Sequence, residues 1–129
     1  MKLMLLNKIF TGMSLNKKVV EEYMQGFRES DHAKILSCLT DDVVWDIPGH
    51  AFLKGKEQFD KEIENDAFEG KPIITITRLI EEDDMVVAEG AVQTKMKNGE
   101  VINLLFCDVF HFRDGKIKQL TSYLVQKKS

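Results

Sequence analysis

The sequence predicts an α+β domain: a cone-shaped, curved antiparallel sheet wrapped around three N-terminal helices. Three observations predict it. Before Gly70 the apolar residues recur mostly at helical spacing, interrupted by one short strand pattern. After Gly70 they alternate in long runs rich in β-branched residues. These later runs are joined by turn signals, so neighbours in sequence pair antiparallel. Helices segregated to one side of such a meander pack on a single face of it. Long curved strands then leave a cavity between sheet and helices.

The elements follow in order. Leu15, Val19, Val20, Tyr23, Met24 and Phe27 fall on one face of a helix between Ser14 and Ser30. Ser14 or Asn16 can cap it, because a side-chain oxygen accepts from orphan N–H groups of the first turn. Asp31 opens a short second helix with Ile35, Leu36 and Leu39 inward. Asp42 to Pro48 reads as a strand running into the Pro48-Gly49 turn. Gly55 to Asp66 is a third amphipathic helix, with Phe59 and Ile63 four residues apart among charges. Ile73–Ile80 is a period-two strand, Glu81–Asp84 an acidic turn, and Met85–Met96 the next strand. Asn98-Gly99 signals a tight hairpin whose two central residues both take positive φ. Val101–Phe112, a second hairpin turn at Asp114-Gly115, and Ile117–Val125 complete the meander.

The chain has 129 residues, which suits one domain (14–129) preceded by an extension (1–13). Eighteen basic against 21 acidic side chains give a net charge of −3, which disfavours a nucleic-acid binder. No apolar run approaches the ~20 residues of a membrane span. Residues 1–13 hold a short apolar patch that Asn7 and Lys8 interrupt, without a signal-peptide cleavage pattern. They read as an extension before an alternative start at Met13, or as a tail packing on a partner. Cys38 and Cys107 fit no disulfide framework and read as free thiols, which makes the cytoplasm the expected location. His32, His50 and His111 lack metal-ligand spacing, and no glycine loop cradles a phosphate, so neither a metal nor another cofactor is expected.

Several residues stand out for chemistry. By strand parity Asp108 shares a face with Leu104, Phe106, Phe110 and Phe112, where lost hydration favours a neutral carboxyl. Tyr23 carries a phenol on an apolar helix face, and Asp108 is its expected hydrogen-bond partner. Trp45 offers a flat cavity wall, with Phe27, Phe59, Phe106, Phe110 and Leu120 as further apolar lining and Ser122 between Leu120 and Leu124. His50 lies on a loop that could cover the mouth, and Glu89 interrupts an apolar strand where it could be a pocket carboxylate.

Val20-Glu-Glu-Tyr23, Ser30-Asp31, Thr40-Asp-Asp-Val-Val-Trp-Asp-Ile-Pro-Gly49, Gly55-Lys-Glu57 and Asp108-Val-Phe-His-Phe-Arg-Asp-Gly-Lys-Ile117 carry a family resemblance over residues 15–126. In them the chain resembles the nuclear transport factor 2-like superfamily, which includes ketosteroid isomerases, SnoaL-like polyketide cyclases and non-catalytic transport factors. The isomerase likeness implies an oxyanion hole of Tyr23 and a protonated Asp108. It places Ile47 at the position of the isomerase base, with Asp46 on the opposite strand face. Asp46, His50 and Glu89 therefore stay open as the base. The SnoaL-like pattern instead needs one pocket aspartate, which Asp108 supplies. The resemblance further implies a homodimer through the other face of the sheet, where Cys107 and His111 lie. The expected function is cofactor-independent proton transfer, of isomerase or cyclase type, on a small hydrophobic carbonyl compound. The alternative is a non-catalytic ligand-binding or protein-interaction module of the same fold.

Overall fold

A computed structural model describes residues 14–63 and 68–128. Three helices, α1 (Leu15–Glu29), α2 (His32–Ser37) and α3 (Gly55–Ile63), precede or interleave with the first strands. The strands are β1 (Leu39–Ile47), β2 (Ala51–Lys54), β3 (Phe68–Glu82), β4 (Met85–Met96), β5 (Val101–Arg113) and β6 (Lys116–Gln126). They form one six-stranded sheet in the order β2-β1-β6-β5-β4-β3. The expectations for residues 1–13, and for the last turn of the third helix at 64–66, lie outside the described residues.

Capping sets the helix boundaries. Ser14 accepts from the Lys17 N–H and contacts Glu81 on β3, which ties the start of α1 to the sheet. Ser30 ends α1 in a left-handed conformation (φ 54°), and the Asp31 N–H reaches back to the Gly26 carbonyl at 2.8 Å. The Asp31 side chain then caps α2 through the Lys34 N–H. Gly26 lets the two helices meet, since a Cβ there would lie 2.6 Å from Ile35. The core between helices and sheet is built from fully buried Val20, Ile35, Leu39, Phe59, Val86, Phe110, Ile117 and Leu120. Each such aliphatic or Phe side chain contributes roughly 1.5–3 kcal/mol by leaving water.

The structure adds three features to the reading above. Strand β1 runs from Leu39 and joins β6 in parallel, so the antiparallel meander β3–β6 carries a parallel neighbour. The loop that begins at His50 is short, because Ala51–Lys54 forms an edge strand paired to β1. The Asn98-Gly99 turn is not a two-residue hairpin: only Gly99 has positive φ, and its N–H bonds to the Met96 carbonyl. That is a longer loop closed by one left-handed glycine. At Asp114-Gly115 both residues do take positive φ between Arg113 and Lys116, the tight form.

Candidate active site

Strand parity decides which side chains can meet. On β5 the inner face carries Phe106, Asp108, Phe110 and Phe112, all buried. Asp108 lies directly opposite Ala88 on β4 and Ser122 on β6. Helix α1 crosses this face and presents Tyr23, Met24 and Phe27 to it. Trp45 of β1 closes one side, and Ile74, Val92 and Leu124 form the outer rim. Together they line a cavity of about 120 Å³ that opens at the rim. A bulge at Thr77 keeps β3 in step: Ile74 and Ile76 face inward before it, Leu79 after it. Gly90, opposite Phe106, has no room for a Cβ, which would lie 2.7 Å from the ring and 2.1 Å from the Thr75 carbonyl.

The aromatic groups hold one another. Trp45 stacks on Phe59 at 4.4 Å between ring centroids, and Tyr23 packs edge-on against Phe110 at 5.3 Å. Such contacts restrict rotamers, so the phenol and the indole reach the cavity in fixed positions. The indole N–H of Trp45 donates to the Ser122 hydroxyl oxygen at 2.9 Å. One lone pair of Ser122 is thereby occupied, and its own O–H is left to donate to the neighbouring Asp108 carboxyl.

Asp108 is 8% exposed, and burial pushes its carboxyl up to about 7, with the Ser122 hydroxyl opposing part of the rise. Burial, and then the adjacent Asp108 charge, raise the Tyr23 phenol well above its ordinary value. At neutral pH the phenol is a proton donor beside a carboxyl that exchanges between both forms. The expected Tyr23–Asp108 hydrogen bond is not formed; Ser122 takes that place beside the carboxyl, and the phenol donates to no described residue. Among the described residues no group of three His, Cys, Asp or Glu could hold a metal ion.

A larger hollow of about 460 Å³ lies on the outer sheet face between Ile73, Thr75, Gln93, Asn103, Leu105 and Lys127. It has no acid or phenol among its lining residues, so volume is a poor guide to chemistry here.

A SnoaL-like domain model matches residues 20–120, most of the chain. The chain belongs to the SnoaL-like family. Solved structures agree on the nuclear transport factor 2-like fold of this SnoaL-like domain. An NTF2-like protein of unknown function from Burkholderia pseudomallei has a TM-score of 0.79 at 21% identity, over 88% of this chain and 92% of that one. A protein from Xanthomonas campestris pv. campestris, assigned as a polyketide cyclase, gives 0.77 at 24%, over 84% and 89%. An epoxide hydrolase of LEH-like type from M. tuberculosis gives 0.76 at 18%, over 86% and 83%. At these identities the likeness establishes the fold. No curated protein matches the chain in sequence.

Of the residues singled out in this SnoaL-like domain, Tyr23, Phe27, Trp45, Phe106, Asp108 and Ser122 surround this inner cavity. Phe59, Phe110 and Leu120 do not line it: each is fully buried behind the wall, where Phe59 and Phe110 brace Trp45 and Tyr23. Three candidate bases lie elsewhere. Asp46 follows Trp45 on β1, so alternation turns it to the other face. His50 is exposed on the turn after β1, its backbone N–H bonded to the Ile47 carbonyl. Glu89 is on the outer face, 3.4 Å from Arg78. Parity separates Glu89 from Ala88 and Gly90 but does not say which set is inside. Met24, Ile74, Val92 and Leu124 were missed as lining; the parity that selects Ser122 also selects Leu124.

Proposed function

We propose that this SnoaL-like domain is an enzyme that moves a proton next to the carbonyl group of a small apolar compound, with Asp108 as the acid–base group. One observation carries the reading: a buried carboxyl and a buried phenol line the same apolar cavity. In its ionised form Asp108 takes a proton from the carbon next to the carbonyl. The Tyr23 O–H donates to the oxygen as it becomes an enolate, a charge worth several kcal/mol to a preorganised donor. The protonated Asp108 then returns the proton to another carbon or to the oxygen. A carboxyl that titrates near pH 7 serves both directions, because neither form is scarce. Hydrolysis needs an acid and a base at once, whereas Asp108 is the one carboxyl among the described lining residues.

Hydrogen–deuterium exchange at the α-carbon of simple ketones, followed by NMR, tests the reading. Accelerated exchange that Asp108→Asn abolishes supports it. Ketone binding with no exchange would return the domain to the non-catalytic class.

The outer sheet face supports a second proposal, a homodimer. Leu105 lies between Ala91 and Val125, near exposed Ile73 and Tyr123, and exposed apolar residues gathered on one face mark an interaction surface. Sedimentation should give a dimer that Leu105→Glu converts to monomer; a wild-type monomer would reject it.

A further inference from the structure

We propose that the cavity selects neutral, one-ring enones, bound with the carbonyl inward, and rejects fused-ring and anionic ketones. The proposal deepens the proton-transfer reading and rests on it only for the direction in which the carbonyl points.

Size sets the first limit. The inner cavity is about 120 Å³. An engineered cavity of ~150 Å³ in another protein takes one benzene molecule. One six-membered ring therefore fills the space between Tyr23 and the rim, and any substituent on it lies at the open mouth. A second fused ring has to protrude past Leu124, which is 38% exposed and marks the mouth. The width is fixed as well. Phe106 packs closely on Gly90, where a Cβ would lie 2.7 Å from the ring, so the Phe106 ring has no room to retreat.

The wall chemistry sets shape and charge. Phe27 and Trp45 meet edge to face, with 72° between the ring planes and 6.2 Å between centroids, and both line the space. Flat faces of this kind favour a flattened conjugated ring over a puckered saturated one. Every polar side chain of the lining, Tyr23, Asp108 and Ser122 with the Trp45 N–H, belongs to the buried part. The half-exposed rim of Ile74, Val92 and Leu124 is apolar. A ligand with one polar end thus enters with that end first. No Lys, Arg or His is among the described lining residues, so a carboxylate or phosphate on the ligand finds no counter-charge and meets Asp108.

The test uses one enone in four settings. The probes are 3-methylcyclohex-2-enone, its fused two-ring homologue, a steroid 4-en-3-one, and a one-ring enone bearing a carboxylate. Trp45 is the single tryptophan of the chain and stands in the cavity wall, so its emission reports binding directly. NMR in D₂O reports proton exchange on the same samples. The one-ring enone should quench Trp45 and exchange, with the other three binding at least tenfold more weakly. Leu124→Ala and, separately, Phe106→Leu should each narrow the gap between the one-ring and two-ring probes. If the two-ring or steroid probe binds as tightly as the one-ring probe, the ligand class is overturned, even when exchange persists and depends on Asp108. Selective binding of the one-ring probe without exchange supports the ligand class and overturns the proton-transfer reading. Failure of the one-ring probe to bind at millimolar concentration overturns the proposal.

Discussion

Asp42 and Asp108 carry the same side chain in one small domain, and their surroundings drive them in opposite directions. Asp42 is exposed on β1 and takes both arms of the Arg113 guanidinium, at 2.6 and 3.2 Å, which hold its carboxyl down to about 2. Asp108 is buried on β5 with a hydroxyl for company and no cation, and its carboxyl rises to about 7. The pairing on Asp42 is a surface matter that water largely screens. The isolation of Asp108 suits the proposed proton transfer: its carboxyl is poised where pH can move it, beside an apolar hollow. The contrast shows that surroundings, and not the residue type, set how each acid ionises.

The largest expected effect follows from removing the poised group. Asp108→Asn should lower proton exchange by about 10²–10⁴-fold, the range for loss of a general acid–base, while Asp42→Asn leaves it unchanged. Equal losses in a rate assay of the two variants would erase the distinction. Tyr23→Phe removes one donor to the developing oxyanion and should reduce the rate by about 10²–10³-fold, with little change in Trp45 quenching by ligand.

Stability should sharpen the same contrast. The raised carboxyl of folded Asp108 binds a proton that the unfolded chain, near ~3.9, has already lost. Between about pH 4 and pH 7 folding therefore weakens as pH rises, by up to roughly 4 kcal/mol from this group. Asp108→Asn should be more stable than the parent at pH 8 in urea titration and close to it at pH 4. Asp42 acts with the other sign. Its lowered carboxyl supports the fold above the unfolded value, and that support fades as pH falls from about 4 towards 2.

A smaller effect belongs to the neighbour that restrains Asp108. Ser122→Ala removes the hydroxyl that opposes the rise, so the ionisation seen in a pH–rate profile should move upward. A downward move would mean that Ser122 steadies the neutral form. Asp42→Asn, the least consequential change, should shift thermal unfolding only slightly and leave the profile where it was.

How much of this was readable from the sequence differs between the two aspartates' strands. The alternation of Phe106, Asp108, Phe110 and Phe112 is unbroken, and an apolar inner face leaves a lone carboxyl conspicuous. Tyr23 was legible for the same reason, on a helix with a continuous apolar stripe. Glu89 was not, because Val87 and Ala91 make the outer face of β4 apolar too, and parity alone cannot name the inside. The parallel pairing of β1 with β6 joins residues some seventy positions apart, which no local pattern encodes. Ala51–Lys54 is too short to alternate visibly. The cavity lining needs the bulge at Thr77, a one-residue slip that reverses the parity of β3 and leaves no mark in residue type.

The ionisation of Asp108 bears most directly on the whole account. Carbon-13 NMR of its side-chain carboxyl, titrated from pH 3 to pH 9 in the folded protein, should give a midpoint near 7. A midpoint near ~4, the value of an ordinary solvated aspartate, would contradict it.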